Sequence, residues 1–332
     1  MSTVDTLEAK ASAAACRPFA PQDDAFHPPG PDIWHTETAW FAFHVPERKI
    51  GGWLYGFIRP NLGVCTSSVF LYDETESAPH RALFSEHQQA QPIPDVRDLN
   101  DFRFPRGYRV PTLEPTRRYK LDFQQDDVLT VDLVFEGIMA PQPYAKNAFA
   151  DSAHYDQLGH VTGHIVLRGE KIAVDCHSMR DRSWGPRSDS APPNFNRMCY
   201  DYGCGPDRVG FCTFSHQEEL GEGGRSPIAH GFWLKDGCCV AIAEGVRTVE
   251  RDPKNIWATR IVIEATDVEG VRHRAVGRSL SRFFFSPSRW ISLDSLLEWD
   301  IDGSAGWGED QDLWRYDQYA LAYRRANHPG RP

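Results

Sequence analysis

The 332-residue sequence lacks the features of several large protein classes. No apolar run approaches the roughly 18 residues that a membrane-spanning helix needs, so we expect no membrane span. The formal net charge is −10, whereas a nucleic-acid-binding surface needs a basic field. The first residues show no basic segment followed by an apolar stretch, as a signal peptide would. We therefore expect a cytoplasmic protein without a nucleic-acid partner.

Cofactor and metal signatures are also missing. The sequence contains no GxGxxG, no GxxxxGK[S/T] and no GxSxG, which argues against nucleotide-binding and α/β-hydrolase folds. It has no CxxC, and its eight cysteines are scattered, as expected of reduced thiols without an export signal. His154, His160, His164 and His177 are close in sequence, but a metal site needs three convergent ligands. We expect neither a metal nor a cofactor.

What the sequence does contain is alternation. Aromatic residues make up 12% of the chain, and apolar residues alternate with polar ones in segments 38–45, 118–123, 128–136 and 257–264. Such period-2 patterns are typical of half-buried antiparallel strands. Gly, Pro and Asp clusters between them indicate turns. The pattern predicts an all-β fold whose strands close into barrels or sandwiches.

The length predicts two domains, because single cores stop growing near 250–300 residues. We expect a disordered N-terminus at 1–20, an N-terminal domain at 21–150 and a C-terminal domain at 151–332. The junction is placed in the break of the strand pattern at 137–157. Residues 85–115, rich in proline, are expected to form a long loop. Residues 291–298 fit a short helix or a bent strand. Residues 312–325 fit a helix or a closing strand, and we favour the strand.

The stretch with the densest set of charged and aromatic residues follows a predicted hairpin. The hairpin has strands at 161–168 and 171–177 and a turn at Gly169. We expect residues 181–187 to form a polar loop, DRSWGPR. A Trp in such a loop is explained if it closes a barrel mouth or stacks on an Arg. The alternative is a Trp-anchored corner with an Asp–Arg ion pair.

The segments GHIVLRG (163–169) and RDRSWGPR (180–187) together resemble the signature of the carotenoid hydratase-like superfamily, the double-lipocalin, hydroxyneurosporene synthase-like proteins. Residues 154–157 and 306–309 add to the resemblance. The resemblance implies two consecutive antiparallel lipocalin-like domains, a lipophilic ligand and cofactor-free chemistry. Relatives include hydratases of isoprenoids and flavonoids. This chain has Arg182 where hydratase-like members tend to carry His, and Tyr200-Asp201-Tyr202 where they carry Tyr-x-Asp.

These observations predict a lyase without a redox cofactor that acts on a small apolar isoprenoid or aromatic substrate in a β-barrel pocket. The reaction is hydration, dehydration or release of a small carbonyl fragment. The candidate catalytic residues are Asp181 or Asp201 as acid/base, His177 or His216 as alternative base, Arg182 and Arg187 as oxygen ligands, and Trp184 and Tyr200 as the aromatic wall. The candidate substrate-binding residues are Tyr155, Tyr202, His230, Phe232, Trp307 and Glu309.

Two alternatives remain open. The same barrel suits a non-catalytic carrier or sensor of a lipophile, and an interaction module would use the loop at 85–115 and have no apolar cavity. On the strand at 197–203, Arg197 and Asp201 share one face. That face is solvated if it points outward, and needs matched charges if it points inward. The sequence does not set the oligomeric state.

Overall fold

The computed structural model describes residues 18–94, 99–105, 108–144, 152–187, 197–217, 224–286 and 290–330. Within them the chain is almost entirely β, in one open sheet followed by one closed barrel. This architecture confirms the predicted fold class of two consecutive antiparallel lipocalin-like domains. No helix in these residues is long and apolar enough to cross a bilayer.

The first sheet contains ten strands within the described residues and has the order β4-β3-β2-β1-β10-β9-β7-β6-β5, with β8 paired to β9. Its concave face covers an apolar core that includes Phe41, Leu121 and Phe135. The strands are β1 (His35–Val45), β2 (Ile50–Arg59), β3 (Val64–Tyr72), β4 (Phe84–Pro92), β5 (Thr112–Glu114), β6 (Arg118–Gln125), β7 (Leu129–Gly137), β8 (Gln142–Pro143), β9 (Ala153–Leu167) and β10 (Glu170–Pro186).

The second sheet is a barrel in which each strand pairs with the next and the last pairs with the first. A C-terminal helix, α1 (Tyr316–Asn327), follows it, and short 3-10 helices include Pro21–Asp24 and Leu99–Asp101. The barrel strands are β11 (Arg197–Cys204), β12 (Gly210–Gln217), β13 (Arg225–Lys235), β14 (Cys238–Arg251), β15 (Ala258–Asp267), β16 (Arg272–Phe285), β17 (Trp290–Ile301) and β18 (Ser304–Arg315).

The hairpin of β9 and β10 sets the geometry of the site. Arg168 and Gly169 connect the two strands, and both have positive φ, at 48° and 85°. Positive φ at both central residues is the two-residue turn whose twist matches antiparallel strands, and glycine adopts it without steric cost. The turn fixes the register, so Leu167 pairs with Glu170 and, at the far end, Asp156 pairs with Asp181.

Two predicted loops and the predicted position of the domain junction differ from the observed strands. Residues 181–186 continue β10 instead of forming a loop, because they pair with β1 on one side and β9 on the other. Both strands of this hairpin therefore belong to the first sheet, and the change from sheet to barrel falls between Pro186 and Arg197 instead of near residue 150. The predicted loop at 85–115 begins inside β4, which continues to Pro92.

The chain ends also differ in part from expectation. Residues 1–17 of the predicted disordered segment lie outside the described residues, but Phe19 packs on Tyr155 with ring centroids 4.5 Å apart. The ambiguous segment 291–298 is part of strand β17. The predicted closing strand at 312–325 stops at Arg315, and α1 follows it.

The convex face of the first sheet packs against the outside of the barrel. Trp40 and Trp53 of the sheet and Tyr200, Tyr202 and Phe283 of the barrel belong to one buried cluster. Hydrogen bonds also cross this interface, for example from the Tyr200 hydroxyl to Asp156 over 2.6 Å. The two halves therefore share a core in addition to their own.

Candidate active site

A cavity of about 520 Å³ lies between the first sheet and the barrel, beside the region in which the two halves pack together. Its lining comes from β1 to β4, β9 and β10 on one side and from β11 and β16 to β18 on the other. A drug-sized ligand occupies a cleft of this size. The void inside the first sheet measures only about 30 Å³. The aromatic wall of the cavity between the halves consists of Trp40, Trp53, Tyr55, Phe57, Phe285 and Trp290.

Asp181 is the carboxyl group in the cavity wall. Its side chain is partly exposed, into the cavity, and no described residue forms a hydrogen bond with its carboxylate. Burial raises the pKa of Asp181 to about 6, although the charge of His154 opposes the shift. A carboxyl group with a pKa near 6 in an apolar cavity exchanges protons readily near neutral pH.

A hydrogen-bonded pair of ionisable side chains, His154 and Asp156, lies beside Asp181. His154 lines the cavity, and its Nε2 is 3.0 Å from Oδ1 of Asp156, which also accepts the hydroxyl hydrogen of Tyr200. Burial disfavours the imidazolium, yet the Asp156 carboxylate, by charge and by hydrogen bond, holds the pKa of His154 above its ordinary value. The cavity wall therefore carries a carboxyl group and an imidazole whose pKa values are both raised.

Two further polar groups surround this pair. Arg187 lies at the rim and donates a hydrogen bond to the hydroxyl oxygen of Tyr55. From the barrel, Gln311 lines the cavity and hydrogen-bonds to Glu309 behind it. Neither group is a proton carrier at neutral pH, but both can hold an oxygen atom of a ligand.

Arg182, Trp184 and Tyr155 were predicted in the site, but they lie on the opposite face of the first sheet. Strand side chains alternate between faces, so Asp181 and Arg182 point in opposite directions. Arg182 forms a buried ion pair with Glu37. The Trp184 indole stacks on His27 with ring centroids 3.8 Å apart and does not line the cavity. The predicted closure of the barrel mouth by Trp184 is therefore wrong.

Asp201 was predicted as an alternative acid, but it lies inside the barrel. It accepts a hydrogen bond from Arg247 Nε over 2.9 Å, and both side chains are fully buried. Arg197, on the same face, binds Asp312 over 2.6 Å. This face of β11 therefore points inward with its charges matched, as buried charges require.

The remaining predicted residues do not line the cavity. Tyr200 acts behind its wall, through Asp156, and Tyr202 contacts Ser178 with 3.1 Å between their hydroxyl oxygens. Glu309 accepts a hydrogen bond from Tyr72 across the interface, and burial raises its pKa to about 8.

Five predicted residues lie elsewhere on the barrel and on β10. His216 is 3.4 Å from the Tyr144 hydroxyl, and His230 hydrogen-bonds to the Pro143 carbonyl over 2.9 Å. The others are packed or peripheral: His177 stacks on His160, Phe232 is in the shared core, and Trp307 is half-buried on β18.

Sequence reasoning missed His154 and Asp156 as catalytic candidates, although a signal for them existed. Given the two-residue turn at Arg168 and Gly169, counting along both strands places Asp156 opposite Asp181. Sequence reasoning also missed Trp40, Tyr55 and Gln311. No local pattern identifies them, because they come together only when the sheet packs against the barrel.

Comparison with solved structures supports the fold. The chain is similar to NE1406 of Nitrosomonas europaea, described as an AttH protein, with TM-score 0.63 and 14% identity over 92% of this chain and 98% of that one. It is similar to kievitone hydratase from Nectria haematococca, with TM-score 0.57 and 8% identity over 92% and 95%. CghA gives TM-score 0.57 and 11% identity over 85% and 88%. The chain thus shares with these structures a fold of two consecutive lipocalin-like domains.

At these identities the likeness concerns the fold alone, because one fold supports many activities. No curated protein matches the sequence. A family model described as a domain of unknown function, DUF7064, matches residues 20–310, which include the sheet, most of the cavity lining and nearly all of the barrel. The chain is a member of the DUF7064 family.

Proposed function

We propose that the cavity between sheet and barrel is the active site of a lyase that adds or removes water, or releases a small carbonyl fragment, on an apolar isoprenoid or aromatic substrate. The observation that supports this most is the position of Asp181. It is the carboxyl group of an apolar cavity, it has no hydrogen-bond partner among the described residues, and it lies beside the His154–Asp156 pair. The hydratase among the structures of the same fold agrees with this reaction class.

The two pKa values assign the roles near pH 7. Asp181, with a pKa of about 6, is mostly ionised, and the raised pKa of His154 favours its protonated form. In dehydration, the Asp181 carboxylate removes a proton from carbon while the His154 imidazolium protonates the departing hydroxyl, which leaves as water. The carboxylic acid and the neutral imidazole then return to their starting states by proton exchange. Hydration is the reverse.

The surrounding groups assist this proton exchange. Asp156 stabilises the imidazolium, and Tyr200 orients Asp156 by its hydrogen bond. Trp40 and Trp53 present ring faces and edges that stabilise a developing cation and exclude water. Arg187 at the rim can bind a substrate oxygen.

The second candidate function is a carrier of an unchanged lipophile, because a large aromatic-lined cavity alone is sufficient for binding. The two functions differ in whether the ligand changes. Protein incubated with an extract of apolar metabolites in ¹⁸O-labelled water is analysed by native mass spectrometry, and the bound and released species are identified.

For a hydratase, the wild-type protein returns a species that has gained labelled water or lost water, and Asp181→Asn returns the species unchanged. Asp175→Asn is the matched control, since Asp175 is exposed on the same strand and is distant from the cavity. A ligand that wild-type protein binds tightly and returns unaltered supports the carrier and contradicts the lyase.

A further inference from the structure

We infer that the ligand of this cavity carries a second oxygen function, an uncharged hydroxyl or carbonyl, that binds at the end of the cavity opposite to Asp181. The inference deepens the proposed function, because that function supplies the role of Asp181. Its own basis is a separate group of polar side chains, Ser68, His87 and Gln89, here called the distal relay.

The distal relay lies at the far end of one row of residues. Asp181, Trp40, Tyr55, Ser68 and His87 are successive register partners on β10, β1, β2, β3 and β4. Neighbouring strands are about 4.8 Å apart, so four spacings place His87 about 19 Å from Asp181, measured along the curved sheet. Both end residues line the cavity, and so does Trp40 between them. The cavity is therefore polar at both ends and apolar in the middle.

The distal relay is hydrogen-bonded and uncharged. The Ser68 hydroxyl is 2.7 Å from Nδ1 of His87, and the Gln89 amide donates to Nε2 of His87 over 2.8 Å. Burial lowers the pKa of His87, so the imidazole is neutral at pH 7. A ligand oxygen can bond to Gln89 or replace it at the imidazole. The relay itself is uncharged and suits a hydroxyl or a carbonyl, while the guanidinium of Arg59 lines the same cavity farther along β2.

The backbone of β4 is shaped for this contact. One extra residue interrupts the pairing of β3 with β4 between Cys65 and Ser67, and Ala90 there has φ of 49°. The Ala90 N–H donates to the Thr66 hydroxyl over 3.2 Å. A non-glycine residue adopts the left-handed region only at a cost in free energy. The bulge directs the consecutive residues Gln89 and Ala90 to the same cavity, which a regular strand cannot do.

The experiment compares two probes that differ in one hydroxyl group. Isothermal titration calorimetry measures binding of dodecanediol, with a hydroxyl at each end, and of dodecanol to the full chain. We expect the diol to bind about tenfold more tightly, the effect of about one hydrogen bond. In His87→Leu and, independently, in Gln89→Leu, we expect this advantage to shrink to about twofold or less with dodecanol binding unchanged.

His164→Leu is the matched control, since it is the same change on the first sheet at a residue that does not line the cavity. Thermal unfolding verifies that each variant folds. Equal affinity of wild-type protein for the two probes overturns the distal site, as does equal weakening of both probes in His87→Leu. Because the readout is binding, an absence of turnover contradicts the proposed function without affecting this result.

Discussion

The side chains on the two faces of strand β10 have different surroundings, although the residues of the two faces alternate in sequence. On the concave face, Arg180 and Arg182 are fully buried and paired with Asp24 of the N-terminal segment and Glu37 of β1. Arg182 also donates a hydrogen bond to the carbonyl of Ala25, so both arginines hold the N-terminal segment on the sheet. On the convex face, Asp181 has no such pairing and faces an open cavity. Buried charges that are paired serve the folded structure, whereas an unpaired titratable group in a cavity is a candidate catalytic residue.

The concave face is also well supplied with hydrogen bonds. The Arg180 guanidinium binds Gln157 and Tyr155 and lies 4.0 Å from the centroid of the Tyr119 ring. Asp24 accepts from both Tyr119 and Tyr155 over 2.6 Å. The Arg and Trp residues of the RDRSWG segment therefore have a structural role, which accounts for an aromatic and two guanidiniums in so short a stretch.

We expect the largest effect from a substitution on the convex face of β10, at Asp181. Asp181→Asn removes the proton acceptor but keeps the size and polarity of the side chain, so we expect turnover to fall by about 10²- to 10⁴-fold. The free energy of unfolding should change little, because no hydrogen bond is lost. Steady-state kinetics alongside denaturant unfolding measures both. A variant with wild-type turnover would remove Asp181 from the mechanism.

We expect the next largest effect from a substitution on the concave face of β10, at Arg182. Arg182→Met leaves the Glu37 carboxylate buried without its main partner, which costs about 3–5 kcal/mol of unfolding free energy. We expect turnover per folded molecule to stay near the wild-type value, since the cavity is on the other side of the sheet. Urea unfolding and activity per folded fraction test this. Unchanged stability with lost activity would place Arg182 back in the catalytic site.

The pH dependence sharpens the comparison. The mechanism needs Asp181 ionised, so kcat/KM should fall about tenfold per pH unit below the Asp181 pKa of about 6. It needs His154 protonated, so kcat/KM should also fall above the raised pKa of His154. In His154→Gln the alkaline limb should disappear. A rate that rises steadily with pH contradicts this assignment of acid and base.

The smallest expected effect concerns the link between the halves. Tyr200→Phe removes the hydrogen bond to Asp156, worth about 1 kcal/mol or roughly fivefold in rate. Without this bond the Asp156 charge acts more strongly on His154, so the alkaline limb of the pH profile should move upward. A loss of stability alone, with an unmoved pH profile, indicates that Tyr200 serves only packing.

Several features were determined by the sequence alone. Alternating apolar residues specified the strands, because a strand with one buried face needs that period. The turn at Gly169 set the register of β9 and β10, and thus the pairing of Asp156 with Asp181. The RDRSWG segment indicated the double-lipocalin fold. The error there was local: a polar, Gly- and Pro-containing stretch resembles a loop even where strands pair with it on both sides.

Tertiary structure decided which face of each strand meets which partner. Alternation states that Asp181 and Arg182 point in opposite directions, but only the docking of the sheet on the barrel makes one side a cavity and the other a core. It also brings Gln311 and Met198 of the barrel to Trp40 of the sheet. These contacts form between segments far apart in the chain, and they depend on packing of whole surfaces, which leaves no trace in local residue patterns.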